Sequence, residues 1–417
     1  MSVSLTTEEQ STLAGHDGQA AATAMRIVVE AARLLEADRL VPIRSAHIDG
    51  CLYHGDGGVE FAERLVVEKG KVEVPTTLNV GALDLLHPDR VHGDAHRLEM
   101  SRRLMNAYVS LGCSPTWTCA PYQAGHRPAV GDQVAWGESN AVAFANSVLG
   151  ARTNRYGDFL DIACALVARA PHVGLHDSAA RRATVVVDLS RLSERLRGLD
   201  AFYPVLGSWL GRAVEDRVSV ITGLPADTSE DRLKALGAAA ASTGAVALFH
   251  VVGVTPEAPT LEDALQGRPP DAVLTPGPEE IRATLAGLST AEDGPLDAVA
   301  LGSPHFSMDE FERLHDLSMG RHYTIPFYVC TGRSVLAEVD TRGWLSDLEA
   351  AGVTVVADTC VVVTPILSGT GTLITNSGKF AHYTPGTTGF AVVYGSLEEC
   401  VESGAAGRVV RIPEIWS

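Results

Sequence analysis

No run in this chain approaches the ~18 consecutive apolar residues that a membrane-spanning helix requires, and the small-residue tract from Gly237 to Ala241 is far too short. The N-terminal string MSVSLTTEEQSTL has neither the positive start nor the apolar core of a secretory signal. Positive charge is scarce: 33 Lys and Arg against 51 Asp and Glu leave a formal net charge of −18. Without a basic stripe to neutralise phosphates, nucleic acid is excluded as a partner. An anionic small molecule is not, because a few arginines dominate the field inside a cleft. Cysteine is also sparse, seven in all, an odd number with no CxxC spacing. That rules out a disulfide framework and predicts a reducing compartment, the cytoplasm, where a cysteine is a buried small hydrophobe, a ligand or a nucleophile.

What is present is the profile of a folded protein of two or three lobes: 417 residues, 46% apolar and 20% charged. Thr6 to Glu9 reads as a capping box, and apolar residues recur at helical spacing over 20–35, 61–69 and 97–111. Leu40 to Ala46 reads as a strand ending at His47, 72–75 as extended, and 185–189, 218–222 and 245–252 as buried strands. A helix over 231–241, a Pro-rich connection over 256–278, a helix from Glu279 and a strand over 298–301 follow. The last third offers extended segments at 323–330 and 353–357 and a loop over 364–385. The alternation predicts an α/β fold with mostly parallel sheets around a central cleft. Lobes over 1–180 and 320–417 are expected to form the site, and 181–319 an inserted lobe.

Four polar segments stand near strand ends, where α/β proteins gather their ligands. They are SAHIDG with His47; VPTTLN with Thr76, Thr77 and Asn79; the stretch from Gly112 to Arg155; and TNSGKFAHY with Asn376, Ser377, Lys379, His382 and Tyr383. The third carries Ser139, Asn140, Asn146, Ser147, Arg152, Asn154 and Arg155, poor choices for an ordinary core. Together the four offer hydroxyls, amides and cations with few acids, which suits a carboxylate- or phosphate-bearing ligand. Singly, each has a plain structural reading: a hydrogen-bonded histidine, capping threonines, a solvated lysine. Cys51, Cys113, Cys164 and Cys400 have apolar settings and read as filler. Cys119 in WTCAPY and Cys360 in DTCVVV stand near strand ends beside threonines, where thiolates bind iron.

The strings SAHIDG, VPTTLN, TCAPYQAGHRP, AWGESNAVAFANSVLGARTNR, LFHVVGVTPEA, GSPHFSMDE, ADTCVVV and NSGKFAHY, in this order from about Thr6 to about Gly389, resemble the large catalytic part of aconitase X. The resemblance implies an aconitase-like multi-lobed α/β/α architecture and hydro-lyase chemistry on a small hydroxylated acid, of the cis-3-hydroxyproline or mevalonate 5-phosphate type. It implies an iron–sulfur cluster or iron acting as Lewis acid on the departing hydroxyl, and a serine base on a small swivelling domain. No such domain follows Tyr394, so a separate small subunit is the expected partner. The family places cluster cysteines in TC-x-PY, GCPH and DTC motifs; here Cys119 and Cys360 remain, while Ser303 stands where the second cysteine is expected. Cys330 in FYVCTGR is a less favoured substitute.

On this reading Arg152, Asn154 and Arg155 hold a carboxylate or phosphate, with Thr76, Asn146, Ser377 and His382 lining the substrate site. Thr77, Asn79 and Ser139 orient the hydroxylated carbon. Lys379 polarises the carboxylate, and His47 protonates the leaving hydroxyl. Two alternatives stand beside it: a cluster-free enzyme performing isomerisation, elimination or cyclisation in a specialised pathway, and a non-catalytic binding subunit.

Overall fold

The computed structural model describes residues 3–416. It divides into two compact units: one runs to Leu83 and resumes over Gly93–Arg182, and the other takes Asp84–His92 and everything from Ala183 onward. None of the helices among the described residues is long and apolar enough to cross a membrane.

The first unit contains helices α1 (Thr7–Leu13), α2 (Gln19–Leu34), α3 (Asp56–Val67), α4 (Ala95–Ser110), α5 (Ser139–Ser147) and α6 (Leu160–Val167). Its strands are β1 (Leu40–Pro42), β2 (Ala46–Ile48), β3 (Thr76–Leu78), β4 (Ala135–Trp136) and β5 (Arg169–Pro171). The predicted capping box at Thr6 is formed, Thr6 Oγ1 accepting from the Glu9 amide while Glu9 accepts from the Thr6 amide. β2 lies at the centre of a three-stranded parallel sheet ordered β3-β2-β4, and β1 pairs antiparallel with β5. The strand read over 40–46 is therefore two strands in two sheets, and His47 sits inside β2 rather than beyond a strand end. The extended stretch expected at 72–75 falls one step early: the pairing strand is 76–78, so the threonines are strand residues and not helix caps.

The second unit contains two parallel sheets. The first, ordered β8-β7-β6-β9, uses β6 (Val185–Asp188), β7 (Ser219–Thr222), β8 (Phe249–Val251) and β9 (Ala272–Leu274). Around it lie α7 (Glu194–Arg197), α8 (Phe202–Val214), α9 (Glu230–Thr243), α10 (Leu261–Leu265) and α11 (Pro278–Gly287). α8 and α9 press backbone to backbone: a Cβ on Gly207 would stand 2.2 Å from the Leu236 carbonyl oxygen. The alanine run at 238–241 permits that approach, since larger side chains there would hold the helices at ordinary separation. The second sheet, ordered β12-β11-β10-β13-β14, uses β10 (Ala298–Phe306), β11 (Phe327–Thr331), β12 (Val353–Val356), β13 (Thr372–Thr375) and β14 (Ala391–Tyr394). Its connecting helices are α12 (Met308–Ser318), α13 (Arg333–Thr341), α14 (Trp344–Ala351), α15 (Gly378–Thr387) and α16 (Leu397–Ala406). Val299, Leu301, Phe306, Phe311, Phe327, Val329, Val355, Ile374 and Val393 form its buried core.

The loop expected over 364–385 is corrected by this sheet. It contains β13 and most of α15, with Ser377 capping the helix and Pro385 inside its last turn. The order of strands places a topological switch between β10, which continues to β11, and β13 on its other side. Ligands of open α/β sheets gather in such a crevice at the carboxyl ends of the strands.

Candidate active site

In the first unit the carboxyl ends of β2, β3 and β4 carry a network of buried polar groups. His47 Nδ1 lies 2.9 Å from Thr77 Oγ1 across the β2–β3 register. Burial lowers the His47 pKa to about 3, partly opposed by the charge of Glu138, so the ring is neutral at neutral pH. A neutral imidazole is a poor proton donor, and the geometry suits it to holding Thr77. Two residues on, Asn79 donates from Nδ2 to Asp49 Oδ1 at 2.6 Å, and the Asp49 amide donates to Asp161 Oδ2 at 2.7 Å. Asp161 is fully buried and also accepts from the Ile162 amide. Burial, together with the charge of Asp49, pushes its carboxyl up to about 8 in spite of those two amide donors.

Gly137 makes the approach possible. A Cβ there would stand 2.8 Å from Asp161 Oδ2 and 2.9 Å from Asp49 Cβ. Glu138 then caps α5, accepting from the Ala141 amide at 2.6 Å and from Ser139 Oγ at 3.2 Å. Asn140 reaches from α5 to the Cys119 carbonyl at 3.0 Å and to the Tyr122 hydroxyl at 3.2 Å, fixing the TCAPY loop. Several buried atoms here have no protein partner: His47 Nε2, Asn79 Oδ1, Asn140 Oδ1 and Trp136 Nε1. Buried polar atoms of this kind are satisfied by water or by ligand, which marks this edge as a binding surface.

Other residues singled out from the sequence have their side chains engaged in structure. Asn146 accepts from the Thr153 amide at 3.1 Å, donates to the Thr153 carbonyl at 2.9 Å, and takes two bonds from the buried Arg181. Asn154 spans Val173 and Leu175, and Thr76 turns back to the Val74 carbonyl. Arg152 lines a separate cavity of about 590 Å³ with Arg39, Gln133, His172 and His176, while Arg155 is exposed. The sequence reading missed Asp49, Glu138 and Asp161, and so underrated the acids. The available signal was Asp161 itself, an acid inside the apolar run DIACALV.

In the second unit the crevice between β10 and β13 opens into a cavity of about 610 Å³ lined by Ser303, Pro304, Asn376, Ser377 and Lys234 among others. Ser377 accepts from the Phe380 amide at 3.0 Å and donates to the Ser303 carbonyl, tying the two strand ends together. Lys234 of α9 is buried between Asp231 and Glu310 and donates to the His305 carbonyl at 3.3 Å. Burial alone would strip its charge, but the two carboxylates overcome that and hold the ammonium above its ordinary pKa. His382 is exposed on α15, with burial of part of its ring and the nearby Arg212 lowering its pKa.

In the same unit two buried thiols lie close together. Cys360 is hydrogen-bonded to Cys330, the largest influence lowering its thiol pKa; Lys379 and a hydrogen bond with Ser303 act in the same direction against burial. Cys51, Cys113, Cys164 and Cys400 shift the other way, raised by burial, as inert filler should be. Thiols are soft donors of the kind that bind iron, yet among the described residues no group of three or more His, Cys, Asp or Glu side chains comes together to hold a metal ion.

Three family profiles match: aconitase X first domain over residues 2–179, second domain over 183–286 and third domain over 296–406. The chain belongs to the aconitase X family. It is 43% identical to cis-3-hydroxy-L-proline dehydratase of Pseudomonas aeruginosa, over 96% of this chain and 70% of that protein. It is 35% identical to the phosphomevalonate dehydratase large subunit of Thermococcus kodakarensis, over 95% and 99% respectively. The crystal structure of Thermococcus kodakaraensis aconitase X in its holo-form superposes with a TM-score of 0.86 at 34% identity, covering 96% of this chain and all of that one. The α/β architecture with mostly parallel sheets is that of this aconitase X, and the hydro-lyase class read from the sequence is the class of the named relatives.

Proposed function

We propose that this chain dehydrates a small hydroxylated amino acid of the cis-3-hydroxyproline kind. The observation that carries the reading is the acid-and-amide edge of the β3-β2-β4 sheet, where Asn79 holds Asp49, His47 holds Thr77, and the charge of Glu138 acts on His47. A substrate with an ammonium beside its carboxylate needs an acidic partner, and Asp49 and Glu138 supply one; a phosphate ester has no use for it. The greater identity to the hydroxyproline dehydratase supports the same choice.

In this reading Thr77, held by His47, orients the hydroxylated carbon together with Asn79 and Ser139. Arg155, exposed in the same unit, takes the substrate carboxylate. In the second unit Cys360, with Ser303 beside it, would be the residue to hold iron, and bound iron would supply a Lewis acid for the departing hydroxyl. A small partner subunit, suggested by the relatives named as large subunits, carries the serine base.

The test is turnover by anaerobically purified chain, with and without a candidate small subunit, on cis-3-hydroxy-L-proline and on mevalonate 5-phosphate. Consumption of the amino acid is expected, with Asn79→Ala lowering kcat/KM by about 10²-fold or more, as for loss of one preorganised donor. Turnover of the phosphate ester alone sinks this reading. Ser303 at an expected cysteine position favours a second reading, an isomerisation or elimination run without iron by the same polar edge; turnover by metal-free protein decides for it.

A further inference from the structure

The cavity of about 590 Å³ in the first unit takes no part in the chemistry above. It lies toward the amino end of β4, where Gln133 precedes the strand, whereas the reaction edge is at the carboxyl ends. Backbone bonds fix its floor. Gln133 and Arg152 pair as a parallel bridge, the Arg152 amide donates to the Asp132 carbonyl at 2.8 Å, and the His172 amide donates to the Arg39 carbonyl at 3.0 Å. The Tyr156 hydroxyl and Gln133 Oε1 each lie 2.5 Å from a ring nitrogen of the buried His176, so both of its nitrogens are engaged. Arg152 is not. Its Nε is buried without a hydrogen-bond partner, and its guanidinium forms no ion pair among the described residues. The acids that line the cavity are exposed at its mouth: Glu36, Asp177 and Asp38, the last already paired with Arg39 at 3.1 Å.

We propose that this cavity is a second binding site, for a small amino acid whose carboxylate is held by Arg152 and whose ammonium faces Glu36 and Asp177. An unpaired guanidinium in a poorly solvated place takes a carboxylate through parallel charge-assisted bonds. A phosphate would bring its second negative charge against the acids of the mouth, whereas an ammonium gains from them. The reverse orientation would set the ammonium against Arg152. Because backbone fixes the floor, the site is formed before a ligand arrives. It shares no residue with the reaction edge and does not depend on which reaction that edge performs.

L-Proline is the probe, since it carries both charges and has no hydroxyl to lose. Hydrogen exchange on the full chain, followed by mass spectrometry, distinguishes this cavity from the reaction edge. At saturating L-proline, exchange over 172–178 is expected to slow at least about threefold, because a ligand of the closed form suppresses local opening. The slowing should vanish in Arg152→Gln and persist in Asn79→Ala, which alters the reaction edge. Glu36→Gln, at an exposed position, should raise the L-proline concentration for half the effect about two- to threefold and leave that for acetate unchanged. Acetate and inorganic phosphate should each need at least about fivefold more than L-proline. No slowing at 172–178 in the wild type, full slowing in folded Arg152→Gln, or loss of it in Asn79→Ala overturns the proposal. Phosphate acting at or below the L-proline concentration overturns the amino-acid assignment, and that measurement needs no variant.

Discussion

The two sheet edges solve the same problem by opposite means. Each buries polar groups at the carboxyl ends of parallel strands, where charge in a poorly solvated site is costly. The first unit keeps its most deeply buried titratable groups neutral beside the charged Asp49 and Glu138: burial leaves His47 uncharged and Asp161 protonated, with pKa values of about 3 and about 8. The second keeps its charges and pairs them, Lys234 between Asp231 and Glu310, and Arg333 on the fully buried Asp358 through two bonds of 2.5 and 2.7 Å. Neutral groups respond to pH, whereas paired ones respond to loss of a partner. A neutral edge also leaves lone pairs and N–H groups available to a substrate. A paired edge is already saturated and serves to hold backbone in place.

The largest test of that contrast is Lys234→Met. Removing the cation leaves Asp231 and Glu310 facing each other in a buried site, and a loss of about 3–5 kcal/mol in denaturant unfolding is expected. A loss below about 1 kcal/mol would show that the triad is not the paired device described.

The pH response of the first unit is the next largest. Asp161 is protonated in the fold and ionised in the unfolded chain between the ordinary carboxyl pKa and about 8. Its contribution to stability therefore falls as pH rises through that window, by at most about 1.4 kcal/mol per pH unit. His47, His126 and His176, lowered chiefly by burial to about 3, 4 and 3, act on the acid side. Their stabilisation is complete above about pH 6.5 and is lost as pH falls toward those values. Thermal melts across pH 3–9 should show both limbs, and Asp161→Asn should flatten the upper one alone.

Smaller effects separate side chains that position from those that only decorate. Thr77→Val leaves His47 Nδ1 buried without its partner and should cost about 1–3 kcal/mol. His382→Ala, on an exposed face of α15, should stay within about 0.5 kcal/mol. Equal losses in the two variants would erase the distinction between the neutral edge and the outer surface.

Much of the fold was legible because periodicity reports burial: α9 appears over 230–243 against an expectation of 231–241, and the capping box at Thr6 is where it was read. The stretch at 364–385 was not, because β13 is four residues long and α15 begins Gly-Lys and ends beyond a proline. Only pairing between β10 and β14 makes TLIT a strand. In the site, the polar segments were found but their roles were blurred. Asn146 and Asn154 have the composition of ligand binders, yet their amides are taken by backbone. Asp49 and Asp161 were overlooked because their meeting depends on contacts 112 residues apart. The neighbourhood of Cys330 and Cys360 is likewise a product of strand order, which no local pattern encodes.

The small segment Asp84–His92, which belongs with the second unit, has a consequence for how the chain is made. The Leu85 amide donates to Asp358, 273 residues later, and Arg90 donates to the Val355 carbonyl, 265 residues later. At roughly 5–20 residues per second of synthesis, these groups leave the ribosome about 13–55 s before their partners exist. Asp84, fully buried in the finished protein, spends that interval in water. The closing of this segment is thus a late event of biosynthesis, timed by translation of the third family domain rather than by the folding of the first.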